Sequence, residues 1–221
     1  MYDGPESPCT QTFGLGLFQL PTSADLDTLE AFFTSRGAPV FHEVSPLADK
    51  ALLELLNQRS YQPIELTSVM YLPLDAHDVV KDDGITVRLA GPEERDLWAR
   101  TAAEGWSEFA EIPDLIEMMT VVSSKHDAPC FLAELDGRPI AAAGLAIHEG
   151  VALLAGASTI PKWRRMGAQR ALFASRLEYA TYVGCDLAMI CAEPGGTSQR
   201  NAERQGFRIA YTRLKWRLKH A

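Results

Sequence analysis

Residues 159–172 read T-I-P-K-W-R-R-M-G-A-Q-R-A-L, and this stretch limits what the chain can fold into more than any other. A run of small and apolar residues, 153–160, reaches Pro161. Lys162, Arg164, Arg165 and Arg170 then surround Gly167, and a segment with helical periodicity begins. The pattern asks for a strand, a glycine-bearing turn and a helix, in that order. Cations are disfavoured at a helix N-terminus, because the aligned peptide dipoles already make it positive. A chain that gathers them there is suited to hold an anion. Backbone N–H groups at such a turn can cradle a phosphate or pyrophosphate.

Composition narrows the class. The 221 residues suit one large domain or two small ones with a real core. No run approaches the ~20 apolar residues that a membrane span needs. Residues 1–8 lack the basic and apolar regions of a signal peptide, so a cytoplasmic protein with no membrane partner is expected. Cys9, Cys130, Cys185 and Cys191 form no CxxC and no His/Cys cluster. Reduced thiols and no metal site are therefore expected. The net charge of −8 is unevenly spread. Residues 1–150 hold 9 Lys/Arg against 25 Asp/Glu, a net of −16, whereas residues 151–221 hold 12 against 4, a net of +8. An acidic protein with one basic third argues against a nucleic-acid partner and for a local surface that takes a small polyanion.

Periodicity divides the chain further. Residues 25–37 read as an amphipathic helix closed by Gly37, 40–44 as a strand, 52–59 as a helix and 64–72 as a strand. Residues 166–183, 186–192, 198–205 and 208–218 read as helix, strand, helix, and a strand or strand pair. The two series share an offset of 146 residues, as from Tyr61 to Phe207 and from Leu72 to Leu218. The N-terminal third thus reads as a repeat of the C-terminal half-domain. Between them, residues 77–84 read as a polar linker, giving domains 1–76 and 85–221. From Ile85 the expected order is β-α-α-β-β-β-α-β-α-β, with Asp136-Gly137 and Glu149-Gly150 as hairpin turns.

That order, with Arg164-Arg165-Met166-Gly167-Ala168-Gln169 at a strand–helix junction, resembles the GCN5-related N-acetyltransferases (GNAT). The family motif is Gln/Arg-x-x-Gly-x-Gly/Ala; its first and fourth positions match, and the sixth is Gln169. Residues 198–207, S-Q-R-N-A-E-R-Q-G-F, resemble the family's fourth helix and its Gly-Phe exit. The resemblance covers about residues 85–221. It implies an α/β fold with a mixed central sheet flanked by helices, preceded here by a truncated GNAT-like domain. Residues 15–24, at the corresponding place in the N-terminal copy, contain no arginine, so that copy is not expected to bind a pyrophosphate.

The resemblance also implies chemistry: transfer of the acetyl group of acetyl-coenzyme A, as cosubstrate, to a primary amine by direct attack. The backbone of Arg165, Met166, Gly167, Ala168 and Gln169 would wrap the pyrophosphate, and Arg164, Arg165 and Arg170 would add charge. Ser158, Thr159 and Ile160 would pair with the pantetheine arm like an added strand, with Asn201 beside it. Many members carry an acidic Tyr where this chain has Ala202, which leaves Tyr211 as the candidate acid. The candidate base is Glu104, from a group that also includes Glu108, Glu111 and Glu193. The acidic remainder of the chain favours a small, cationic acceptor. Ala202 and Gln169 keep a second reading open, an acetyl-coenzyme A sensor or inactive module. The N-terminal copy could cover the active site, complete the sheet or mediate a homodimer.

Overall fold

The computed structural model describes residues 1–74, 84–108, 111–124 and 128–219, with the backbone alone for Ile112 and Pro113. Of the expected linker at 77–84, residues 77–83 lie outside the described residues. The chain forms two compact units. The first takes Met1–Val69, Ala192–Gln199 and Ile209–Ala221; the second takes Met70–Cys191 and Arg200–Arg208. This division differs from a split in chain order at residues 76 and 85, because the last strand counts with the N-terminal unit.

The first unit contains helix α1 (Ser23–Thr34), strand β1 (Phe41–Val44), helix α2 (Lys50–Gln58) and most of strand β2 (Tyr61–Pro73). It also holds most of the chain's last strand, β8 (Arg208–Leu218), a single long strand. The strand order is β1-β8-β2, and β8 runs antiparallel to β1 from Phe41↔Arg217 to Val44↔Leu214. Leu26, Phe33, Leu52, Leu56 and Trp216 form its core. Both helices begin on side-chain caps. Thr22 and Asp25 form a reciprocal capping box on α1, and Asp49 caps Ala51 N–H of α2.

His42 is fully buried in this unit. Tyr61 donates its hydroxyl to Glu30 Oε1 at 3.0 Å, so it accepts from His42 Nε2 at 2.8 Å. Thr12 Oγ1 therefore donates to His42 Nδ1 at 2.8 Å. Arg59 closes the chain with two bonds to Glu30. Burial, only partly offset by Glu30, lowers the His42 pKa from 6.5 to about 4. The folded state thus prefers neutral His42, and its contribution is complete above the unfolded value and lost as pH falls from 6.5 to 4. The shift corresponds to a stability loss on the order of 3 kcal/mol. Urea unfolding across that range should show it, and His42→Gln should flatten the dependence.

The second unit contains β3 (Thr86–Leu89), α3 (Arg95–Trp106), α4 (Ile112–Ser124), β4 (Cys130–Leu135), β5 (Arg138–His148) and β6 (Val151–Thr159). Then follow α5 (Ala168–Tyr182) and β7 (Leu187–Ala192), and α6 (Thr197–Arg204) leads to β8. The strand order is β7-β6-β5-β4-β3; β3 to β6 pair antiparallel, and β6 with β7 parallel. Strand alternation divides the core. Phe131, Ala133, Ala141 and Ala143 pack with Leu172 and Leu177 of α5. Cys130, Leu132 and Ala142 pack with Trp98 of α3 and Met119 of α4 on the other face. Trp98 Nε1 donates to the carbonyls of Phe131 and Ala143, which fixes α3 on the sheet. Both hairpin turns have positive φ at each central residue (51° and 72° at Asp136-Gly137, 46° and 77° at Glu149-Gly150), the primed geometry that matches strand twist. The order α-β-α-β occurs twice, as α1-β1-α2-β2 and α5-β7-α6-β8, with β1 starting at 41 and β7 at 187, 146 residues later.

Candidate active site

Strand β6 carries the site. It is in parallel register with β7 at Val151, Ala152 and Leu153, yet it runs on to Thr159 while β7 runs on to Ala192. The two strands therefore part after Leu153. On its other side β6 stays paired with β5, with a register shift between Ala142 and Gly144. The extra residue on β6 falls beside Gly156, whose φ is 61° and where an added Cβ would meet nothing within 4 Å. The glycine thus serves conformation and not space. A bulge of this kind re-aims the backbone, here beside the point where the strands separate.

Past β6, Ile160 N–H donates to Ile140 O at 3.0 Å, and Pro161–Trp163 form a 3-10 turn. Arg165 (φ 67°) and Gly167 (φ 91°) then take left-handed conformations, and α5 starts. Gly167 is its N-cap, and no side chain caps this helix, unlike α1 and α2. The first-turn N–H groups of α5 have no intrahelical acceptor, as at any helix start. Lys162, Arg164, Arg165 and Arg170 are exposed around them. An uncapped helix start ringed by cations is chemically fitted to a phosphate-type anion.

The side chains named from the sequence fall into several settings. Ser158 and Thr159 are buried; Ser158 Oγ donates to Ala102 O at 2.9 Å. Gln169 Nε2 donates to Thr159 Oγ1 at 2.8 Å, so the residue at the motif's sixth position ties the first turn of α5 back to β6. Arg164 turns onto the C-terminal end of α3. Its Nη1 meets Glu108 Oε2 at 2.6 Å, its Nη2 meets Gly105 O at 3.5 Å, and its Nε meets Thr159 O at 3.4 Å. A cation there complements the helix dipole. Asn201 Oδ1 accepts from Arg204 Nη1 at 2.9 Å. Ala202 is fully buried in the core with Phe207, whose N–H donates to the Ala202 carbonyl.

Glu104 is exposed on α3 and opens on a depression of about 370 Å³ that Ile160 also lines. Tyr211 sits on β8, in the part of the chain that belongs to the first unit, as does Glu193. Sequence reasoning passed over Gly105, on whose position the Ser158 side chain closes, and Arg100 and Arg138, which line the same depression as Glu104. No local pattern marks them, since each acts through an element distant in sequence. Among the described residues, no group of three or more His, Cys, Asp or Glu is placed to hold a metal ion, and no helix is long and apolar enough to cross a membrane.

A mixed sheet whose parallel pair separates beside a cationic, glycine-bearing helix start is the architecture of an acyltransferase. The chain belongs to the Acetyltransferase (GNAT) family, whose model matches residues 94–207, just over half of its length. Members of this family generally use acetyl-coenzyme A. Among solved structures, a GCN5-related N-acetyltransferase from Kribbella flavida aligns over 90% of this chain and 75% of its own, with 21% identity and a TM-score of 0.70. One from Sphaerobacter thermophilus aligns over 88% and 68%, with 18% identity and a TM-score of 0.66. A tandem GNAT protein from the clavulanic acid biosynthesis pathway aligns over 90% and 70%, with 14% identity and a TM-score of 0.63. At these identities the likeness speaks for the fold. No curated protein matches the chain.

Proposed function

We propose that the protein transfers an acetyl group from acetyl-coenzyme A to a primary amine of a small molecule that is cationic at that amine. The observation that carries this reading is the separation of β6 from β7 after Leu153, leading into the uncapped, cation-ringed start of α5. The backbone N–H groups of Arg165 to Gln169, with Arg165 and Arg170, take the pyrophosphate. Gly167 suits that role because its left-handed φ costs little without a Cβ. The backbone at Ser158, Thr159 and Ile160 pairs with the pantetheine arm, and Asn201 lies along it. Acetyl-coenzyme A supplies the activated acyl group.

Glu104 accepts a proton from the ammonium, and the freed amine forms the new C–N bond as the C–S bond breaks. Backbone N–H groups of β6 beyond Leu153 are the donors for the developing oxyanion. Ala202 offers no hydroxyl to the leaving thiolate, so solvent protonates it. The reaction is proposed to take place in the cytoplasm.

Thiol release on mixing the protein with acetyl-coenzyme A and a broad amine panel tests the reading. Glu104→Gln should lower kcat by about 10²-fold, the usual scale for a general base, with acetyl-coenzyme A binding unchanged. No thiol release with any amine and no thermal shift with coenzyme A would overturn it. Tight binding without turnover would point to a sensor instead.

A further inference from the structure

The depression beside Ile160 has a charge opposite to that of the chain. Arg100 and Glu104 on α3, Arg138 at the start of β5, and Lys162 and Trp163 after β6 face it together with Ile160. Three cations thus meet one acid in a protein whose net charge is −8. Two other arginines of this unit are neutralised: Arg88 by Glu94 and Glu134, and Arg164 by Glu108. Arg100, Arg138 and Lys162 make no ion pair among the described residues. Lys162 does rest 5.7 Å from the centre of the Trp163 ring. The Nε1 donor of Trp163 is itself buried without a hydrogen-bond partner.

The three unneutralised cations are exposed, and they come from three separate elements. A helix face gathers like charges by sequence spacing, whereas α3, β5 and the 3-10 turn are brought together only by the fold. Each guanidinium presents a fork of donors matched to a carboxylate or phosphate. Since the low-lying Coulomb cost of keeping like charges together is relieved by an anion, the depression is poised to take one.

We propose that this depression receives the acceptor, and that the acceptor carries a carboxylate or phosphate as well as its amine. The inference rests on the acetyl-transfer reading and sharpens it. The amine is the cationic end that the acidic chain attracts, and the acid group is the end held by Arg100, Arg138 and Lys162. Glu104, the candidate base, opens on the same depression. A molecule anchored there by its acid group therefore has a proton acceptor within the site that holds it.

The test measures initial rates with acetyl-coenzyme A and matched amines: the common amino acids against their carboxamides, and phosphoethanolamine against ethanolamine, with spermidine as a purely cationic amine. The expected result is at least a tenfold higher kcat/KM for acidic members. Arg100→Ala with Arg138→Ala should raise KM for the preferred acidic amine at least tenfold and leave KM for acetyl-coenzyme A within twofold. Equal or better turnover of neutral amines or spermidine overturns the inference, as does turnover of neutral or purely cationic amines with none of the acidic ones. A parallel arm uses acetyl-dephospho-coenzyme A. If the double variant weakens acetyl-coenzyme A but not the dephospho form, the depression holds the donor's 3′-phosphate, and the acceptor assignment is overturned. Failure of the parent reading looks different, since wild-type protein would then turn over no amine of any kind, whether or not it bound acetyl-coenzyme A in calorimetry.

Discussion

Arg165→Glu together with Arg170→Glu should lower the affinity for acetyl-coenzyme A about 10³-fold while leaving Tm within about 2 °C of wild type. Hydrogen bonds to charged groups contribute roughly 1.5–3 kcal/mol each, so the loss of two corresponds to about 4 kcal/mol or about three powers of ten. Both side chains are exposed, so the core is untouched. The two readouts respond to different physics. A carboxylate at position 170 lies in the first turn of α5, where the dipole welcomes it, so the helix is if anything improved by the change that removes the anion site. A glutamate at 165 is no worse than arginine in the left-handed conformation already present there. Wild-type affinity should also fall with added salt, as screening weakens exposed charges. Isothermal calorimetry with acetyl-coenzyme A measures both effects. An unchanged affinity in the double variant would remove the loop from the binding site.

Much of this fold could be read locally. The Asp136-Gly137 and Glu149-Gly150 signals produce tight hairpin turns, and the strand-then-helix reading at 159–172 corresponds to β6, the 3-10 turn and α5. Such features depend on neighbours within a few residues, where backbone preference and periodicity are strong. What could not be read depends on pairing at long range. Nothing in residues 208–218 says that they lie against Phe41–Val44, yet that register draws β8, and Tyr211 with it, into the first unit. The chain of bonds from Thr12 through His42 and Tyr61 to Glu30 likewise joins four separate segments. The candidate site divides the same way. Arg164 was legible as a motif position, but not its turn onto Glu108 and Gly105 O, because α3 reaches the loop only through packing on β6. Gln169 departs from the family pattern, and its tie to Thr159 gives that departure a structural role.

Gly105→Ala should destabilise the protein by about 3 kcal/mol, although the same change inside an exposed helix stabilises by up to roughly 1 kcal/mol. A Cβ at Gly105 would stand 2.3 Å from Ser158 Oγ, 2.5 Å from Ser158 Cβ and 3.0 Å from Thr159 N. The hydroxyl cannot simply swing aside, since it donates to Ala102 O one turn earlier on the same helix. Relief requires α3 to lift from β6, or Ser158 to abandon a buried bond. Overpacking costs about 1–3 kcal/mol and a broken buried hydrogen bond adds about 1–2 kcal/mol, which together outweigh the helix-propensity gain. For a chain of this size the change should appear as a Tm drop of roughly 10 °C. The helix and β6 meet at Ser158 and Thr159, where the pantetheine arm is assigned, so activity should fall further than stability alone requires. Ser158→Gly in the same chain separates the causes. It removes the two closest atoms and leaves the Thr159 backbone contact, so it should restore part of the lost Tm, whereas in the wild-type background it only destabilises. A Gly105→Ala protein as stable as wild type would mean that α3 does not rest on β6 through this contact, and with it would go the account of how Arg164 and Glu104 are held at the site.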